Sequence, residues 1–529
     1  MKKNITMLLL ACSACLLLYT GCSKENSASN KKGAELIIDN QSEPQSLDPT
    51  QIQGVPEDRI YKALFEGLVD YDPKTCHAVP GIAESWERSD NDTVVIFHLR
   101  KTTWSDGTPI TAQTFVDSWL YYMSPEVAAE YAYMPAMIIK GAQDYNSGKA
   151  DASAVGIKAL DDYTFQVTLI GPVPYAVDMM AHYSFTALPM QAIKKYGKDW
   201  TKPGNFVGNG PFVLESWVPQ EKVTVVPNDK YWNKKNIFLS RITFLPIENQ
   251  TTAYNKLKNG EIDWIPEVPI EMLDEIKLRE DYHVVAQLST YYYEFNINDP
   301  ILKDVRVRKA LAESINKQDL VDKVMKGGQI VADGFVPPME GYTPAKGNFF
   351  NLAEAKKLLA DAGYPDGKGF PKLTLIYNTS ENHKKVAEYV QQQWKNNLGI
   401  DIDLQNMEWK TFLDKRQAND FEISRAGWVG DYQDPSNFLE VCKSDSGNND
   451  GRYNNPAFDA ALVKAAKMPE GADRMKVLRD AEDMLITQDQ AFIPLYYYVS
   501  QNCIDLNKWE GWYTNTLDIH PYIGLKLKK

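Results

Sequence analysis

One stretch of this chain sets the conditions under which the rest must fold. Ile5 to Tyr19 is almost entirely apolar; it follows the basic start Met1-Lys2-Lys3 and leads to Gly21-Cys22. A basic segment, an apolar segment and a small residue before a cut site make an export signal. A bilayer span needs about 20 apolar residues, and this run is shorter. Residues 1–21 are therefore read as a signal peptide, with a single N-terminal anchor helix as the alternative. No later segment has 18 consecutive apolar residues, so the body of the chain is expected to fold in water.

Gly21-Cys22 also resembles a bacterial lipobox, in which the cysteine is acylated and becomes the first residue. That makes Cys22 the lipidation site and the lipid an anchor on the outer side of the cytoplasmic membrane, or its periplasmic face. Tyr19 departs from the pattern, where Leu is usual, and Leu18 comes one place too early. Ser23-Lys-Glu-Asn-Ser-Ala-Ser-Asn-Lys-Lys-Gly33 is polar and low in complexity. Residues 22–33 thus read as a flexible tether.

The 508 residues from Cys22 onward are too many for one core, so two or three domains are expected. Without Lys2 and Lys3, 55 basic residues face 70 acidic ones, a net charge near −15 against −13 for the whole chain. This balance argues against nucleic-acid binding and against broad adhesion to anionic lipid. Cys76, Cys442 and Cys503 match neither a zinc spacing nor a CxxC pair. In an exported protein they allow one disulfide with an odd thiol left over, and the pairing stays open. Tyr, at 29, outnumbers Phe, at 19. Rings with one wet edge are common in binding clefts, although a large core with amphipathic rims accounts for most of them.

Local patterns predict alternating strands and helices. Strands are expected at Ala34–Asp39, Thr93–Arg100, Tyr163–Leu169, Phe212–Trp217, Lys222–Pro227, Leu373–Tyr377 and Phe492–Val499. Helices are expected at Ile60–Leu68, Ala112–Tyr122, Asp304–Ile315, Ala353–Ala362, His383–Leu398 and Arg474–Ile486. The alternation predicts α/β or α+β lobes. The chain has no GxGxxG after a strand, no GxxxxGK[ST], no HExxH and no GxSxG. Its six histidines, at 77, 98, 182, 283, 383 and 520, show no ligand spacing, so neither a metal site nor a cofactor is indicated.

The segment Arg425-Ala-Gly-Trp-Val-Gly-Asp-Tyr-Gln-Asp-Pro435 sets Asp431 among glycines and aromatics. A carboxylate in such a wall is costly to bury unless a cation pairs with it. Two readings stand: a structural loop acid paired with Arg425, or an acid whose cation arrives with a ligand.

A longer pattern bears on that choice. Leu47-Asp-Pro49, Gly54-Val-Pro56, Leu64-Phe-Glu-Gly-Leu68, Pro80-Gly-Ile-Ala-Glu-Ser-Trp86 and Phe97-His-Leu-Arg-Lys-Thr-Thr-Trp-Ser-Asp-Gly-Thr-Pro109 occur in order. Thr290-Tyr-Tyr-Tyr-Glu294, Asp304-Val-Arg-Val-Arg308, Tyr377-Asn-Thr-Ser380, Glu408-Trp-Lys-Thr-Phe-Leu413, the Arg425–Pro435 segment and Tyr496-Tyr-Tyr498 follow. Together they resemble the oligopeptide-binding lipoproteins of ABC importers, in the peptide/nickel class of solute-binding proteins. The resemblance implies a three-lobed fold like the type II periplasmic binding proteins, closing by a hinge over a cleft. Lobe I would comprise 34–65, 190–288 and 500–529, lobe II 66–189 and lobe III 289–499. It also implies a monomer that captures oligopeptides with little sequence selectivity, delivers them to ABC permease and ATPase subunits, and is not an enzyme. Alternatives are a receptor for a defined signalling or murein peptide, a nickel or haem carrier, and an exported peptidase.

By the same resemblance Asp431 clamps the peptide α-ammonium, and Arg425 and His383 meet the peptide carboxylate. Arg416 is a further basic cleft residue, and Trp409, Trp428, Tyr293, Tyr498 and Tyr131 are cleft aromatics, Tyr133 being close enough to replace Tyr131. Glu294 and Glu66 are weaker matches. The chain departs from enterobacterial relatives in three ways. Met325 stands in place of a cleft lysine, with Lys326 beside it, and Gln53 stands in place of a cleft acid. Ser289 and Val429 occupy the positions of a cysteine pair that ties lobe III.

Overall fold

Two long strands, Tyr282–Phe295 and Phe492–Ile504, run side by side through the centre of the molecule. Both are rich in β-branched and aromatic residues, which suit a pleated, buried surface. The computed structural model describes residues 33–347 and 349–529; the expected signal peptide, Cys22 and the expected tether up to Lys32 lie outside the described residues. The strands pair antiparallel from Tyr282–Cys503 to Glu294–Phe492, with a register break between Ala286 and Thr290. Such a break bends a strand and sharpens its twist.

Neighbouring strands extend this pair on both sides. Phe492–Ile504 pairs with Trp264–Ile265, which leads through Ala34–Asp39, Leu239–Leu245 and Lys222–Pro227 to Phe212–Val218. Tyr282–Phe295 pairs with Ile423–Val429, which leads through Leu373–Asn378 to Ile402–Met407. With Ile330–Val331 on Phe492–Ile504, eleven strands form one mixed sheet among the described residues. A separate four-stranded antiparallel sheet contains Ala83–Ser89, Val94–Leu99, Thr164–Thr168 and Ile157–Asp161. The fold class is mixed α/β, as expected.

The helix Glu381–Leu398 shows how sequence sets local geometry here. Ser380 caps it by accepting from the His383 backbone N–H, and Gly399 ends it in a left-handed conformation, φ 70°. His383, Val386, Ala387, Val390, Trp394 and Leu398 repeat at helical spacing and are buried. His383 therefore starts the inward stripe of its helix.

Two expected elements differ. The first helix is Val55–Leu64, not Ile60–Leu68. Pro56 suits the first turn, and the Glu57 carboxylate reaches back to the Gly54 N–H at 3.1 Å, so the helix begins early. The segment from Arg425 is not all loop: Ile423–Val429 is a strand, and only the residues after it turn. Ser289 and Val429 are direct cross-strand partners. Cys76, Cys442 and Cys503 are buried and free, so no disulfide joins them.

The turn after Val429 is held by Arg474 on the helix Ala472–Asp483. Its guanidinium donates two bonds to the Asp434 carboxylate, at 2.7 and 2.8 Å. The Arg474 side chain is fully buried and that of Asp434 is 6% exposed. Arg474→Ala leaves Asp434 buried without its cation and should lower apparent unfolding stability by about 3–5 kcal/mol. Urea denaturation checks this; a loss under about 1 kcal/mol would show that the turn is held by other contacts.

Candidate functional site

A cavity of about 310 Å³ lies between the central sheet and the part of the chain that carries the four-stranded sheet. Its walls come from remote segments: Gly54 to Lys62, Tyr131, His182, Glu267, Asn378 to His383, Arg425 to Asp431 and Tyr496 to Gln501 all contribute.

Asp431 lines this cavity just beyond the end of the strand Ile423–Val429. Its Oδ2 accepts from Asn437 Nδ2 at 3.1 Å, and its backbone N–H donates to Asn437 Oδ1 at 3.0 Å. Its backbone carbonyl accepts from the Tyr71 hydroxyl at 2.7 Å. Oδ1 lies 3.5 Å from His182 Nε2. Among the described residues no Lys or Arg pairs with this carboxylate. Burial pushes the Asp431 carboxyl up to about 7; the Asn437 amide and Lys62 oppose the rise, and Asp58 adds to it.

Arg425 is not the cation for Asp431. It donates to the Tyr498 hydroxyl at 2.6 Å and to Asn378 Oδ1 at 3.3 Å, and lies 5.0 Å above the Tyr291 ring. No carboxylate pairs with it among the described residues, and an arginine stays charged in any protein environment. His383 is buried beside Tyr291, ring centroids 5.6 Å apart. Burial, helped by the nearby Arg425 charge, holds its imidazole well below the usual histidine value. His383 therefore faces the cavity as a neutral ring.

The remaining expected residues divide. Trp409, Trp428, Tyr131, Tyr498 and Arg416 line the cavity. Trp428 stacks on Tyr131 across the cleft at 6.1 Å and donates to Asn437. Trp409 donates to Glu57 at 3.2 Å, and a Cβ on Gly54 would meet the Trp409 ring at 2.6 Å, so glycine lets the two walls approach. Arg416 reaches the cavity with its charge already matched, 2.9 Å from both Glu294 and Asp450. Glu294 itself is not on the wall; it is buried beneath Arg416 and also accepts from the Gly451 N–H. Tyr293, the cross-strand partner of Arg425, is buried against Tyr291 in the core and does not reach the cavity wall, whereas Tyr292 does. Glu66 lies away from the cavity, bonded to Tyr231 and Trp232 at 2.6 Å each. Tyr131 takes the wall position and Tyr133 does not. Gln53 and Met325 both line the cavity, whereas Lys326 is exposed and outside it. His182 and Glu267 were not expected from the sequence, which gives no local signal for either.

The sequence profile of the bacterial extracellular solute-binding proteins, family 5 middle, matches residues 77–450. The chain belongs to this family. Among its relatives, the periplasmic oligopeptide-binding protein OppA of Escherichia coli is 41% identical over 491 residues, 90% of this chain and 89% of the relative. The crystal structure of the periplasmic oligopeptide-binding protein OppAIV of Borrelia burgdorferi superposes with a TM-score of 0.91 at 38% identity, covering 94% of this chain and all of that one. The murein tripeptide-binding protein MppA of Escherichia coli, 37% identical, gives 0.90 over 94% of this chain and 99% of that one. The unliganded open form of MppA, 36% identical with 94% and 98% covered, gives 0.62.

The raised carboxyl of Asp431 has a consequence for stability. Its value in the folded state, about 7, lies above the ordinary 3.8, so the native state favours the protonated form. The associated stability is present below the ordinary carboxylate range and is lost as pH rises towards 7. In ligand-free protein, Asp431→Asn should melt at or above the wild-type temperature at pH 8, with the gap closing towards pH 5. Calorimetry at both pH values checks this, and a gap that widens on acidification would contradict it.

Proposed function

We propose that this protein is an exported receptor that captures oligopeptides with little sequence selectivity and delivers them to an ABC importer, without chemical change to the peptide. The observation that carries this reading is the pair of unmatched charges on one cavity wall. Asp431 has no cation and Arg425 has no carboxylate among the described residues, and both are partly buried. Buried charges left unmatched are unfavourable, and a zwitterionic ligand matches both. An extended peptide brings an ammonium at one end and a carboxylate at the other. In this reading Asp431 takes the α-ammonium, Arg425 the carboxylate, and His383, Arg416, Trp409, Trp428, Tyr131 and Tyr498 shape the space between. Backbone contacts of the kind made in strand addition read any sequence alike, and hydrated pockets tolerate varied side chains.

The proposed lobes are 34–65 with 190–288 and 500–529, then 66–189, then 289–499. The register break between Ala286 and Thr290 supports a hinge there, since both central strands pass from the first lobe to the third at that point. Names of relatives support the ligand class: OppA of Escherichia coli is an oligopeptide-binding protein and MppA a murein peptide-binding protein.

Native mass spectrometry of protein purified without refolding should show intact co-purifying peptides of mixed sequence. One defined ligand would favour a signalling or murein-peptide receptor, and cleaved products a peptidase. Asp431→Asn should weaken binding of free peptides by about 2–5 kcal/mol while sparing N-acetylated ones, because the ammonium would be buried unpaired. Equal losses would remove Asp431 from this role.

Cys22 is proposed as the lipid-bearing residue, by its place after the apolar run. Cys22→Ala should abolish incorporation of labelled palmitate and release the protein from the membrane fraction; persistent labelling would refute the assignment. The proposed lipid-tethered form is a monomer.

A further inference from the structure

His182 lines the cavity opposite Asp431. It starts the short turn Tyr183–Phe185, and its Nδ1 accepts from the Ser184 backbone N–H at 3.2 Å and lies 2.9 Å from Ser184 Oγ. A ring nitrogen that accepts a backbone N–H carries no proton, so the neutral ring holds its proton on Nε2. Nε2 is buried and has no hydrogen-bond partner among the described residues. It lies 3.5 Å from Asp431 Oδ1, with the side chain only 5% exposed. The ring has little freedom to turn away: Tyr183 and Tyr131 pack on it, with centroids at 3.7 and 4.9 Å.

The partners of Asp431 come from both sides of the cleft. Asn437 lies in the same proposed lobe, 289–499, whereas His182 and Tyr71 lie in the proposed lobe 66–189. Tyr71 holds the Asp431 backbone carbonyl, and His182 faces its carboxylate. Opening the cleft separates His182 from Asp431; closing brings them together. The chemistry of the donor matters. A fixed Lys or Arg at this position would cancel the Asp431 charge and hold the lobes shut without a ligand. An apolar side chain would leave Oδ1 bare. A neutral imidazole N–H supports the carboxylate and leaves its net charge to be matched by the ligand. Burial, together with the Lys62 charge, keeps the ring in this neutral form.

We propose that His182 is a positioning residue that reaches across the cleft: in the closed state its Nε2–H donates to Asp431 Oδ1, aims the carboxylate at the ligand's α-ammonium and makes lobe closure depend on that ammonium. The proposal rests on the peptide-binding reading above and deepens it, because it states how recognition of a free amine is coupled to closure.

The test uses His182→Asn. Asparagine keeps a side-chain acceptor for the Ser184 N–H, and its shorter side chain does not reach Asp431. Calorimetric titration of wild type and variant with a free tripeptide and its N-acetylated counterpart should show about a tenfold or greater loss for the free peptide, the scale of a hydrogen bond to a charged group. The acetylated peptide should bind both proteins within about twofold. Equal losses for the two peptides, or none, would overturn the proposal while leaving peptide binding intact. If wild type binds neither peptide, the functional reading fails and this proposal falls with it. A second measurement needs no variant: in peptide-loaded protein with ¹⁵N-labelled histidine, His182 should be neutral with its proton on Nε2. A charged ring, or a proton on Nδ1, would equally overturn it.

Discussion

Antiparallel pairing of Tyr282–Phe295 with Phe492–Ile504 is the interaction on which the rest of this structure depends. One continuous sheet passes through these strands, so the two flanking regions share a floor. Tyr496 and Tyr498 on one strand, and Tyr292 on the other, face the cavity. Their ladder also positions Ile423–Val429, and with it Arg425, Trp428 and the approach to Asp431. The break in register between Ala286 and Thr290 lies beside Ser289, the cross-strand partner of Val429. The wall bearing the candidate clamp thus meets the bend with no covalent tie at that rung, held by backbone pairing and packing alone.

Electrostatic balance divides the cavity residues into two kinds. Arg416 is satisfied within the chain by Glu294 and Asp450. Arg474 is satisfied by Asp434 under the turn. Both pairs build the wall. Arg425 and Asp431 instead lean on neutral partners: Tyr498 and Asn378 for the one, Asn437 for the other. Neutral dipoles orient a charge without cancelling it, so these two groups keep most of their capacity to attract an opposite charge. The arrangement favours a ligand that carries both signs at a distance from each other.

Much of the local structure was legible in the sequence. Lys222–Pro227 and Ala34–Asp39 form strands at the predicted bounds, because alternation and β-branched residues act within a few positions. The helix Ala112–Met123 begins where predicted, and the Glu381–Leu398 helix differs from its prediction only in its first turn. The first helix was misplaced because a capping interaction at Gly54 and Glu57 outweighs the apolar spacing further on. The 282–295 strand was not read at all beyond its tyrosines. Its first half carries a mixed pattern that only pairing with Phe492–Ile504 makes into a strand. Of the expected wall residues, Tyr293 and Glu294 fail for a simple reason. Tyr293 packs against Tyr291 in the core, and Arg416 covers Glu294.

By itself the sequence determined the features that act over short range or through order along the chain: an export-type start, an acidic body, alternating strands and helices, and a series of motifs typical of one family. Only the tertiary structure decided which charges stay unmatched. Asp431 and Arg425 share one short segment and read equally well as an ion pair. Folding turns Arg425 towards Tyr498 and Asn378, and brings His182 from a distant part of the chain to Asp431. Whether a buried charge is cancelled depends on distances of a few ångströms between residues far apart in sequence, and those distances exist only once the chain has folded.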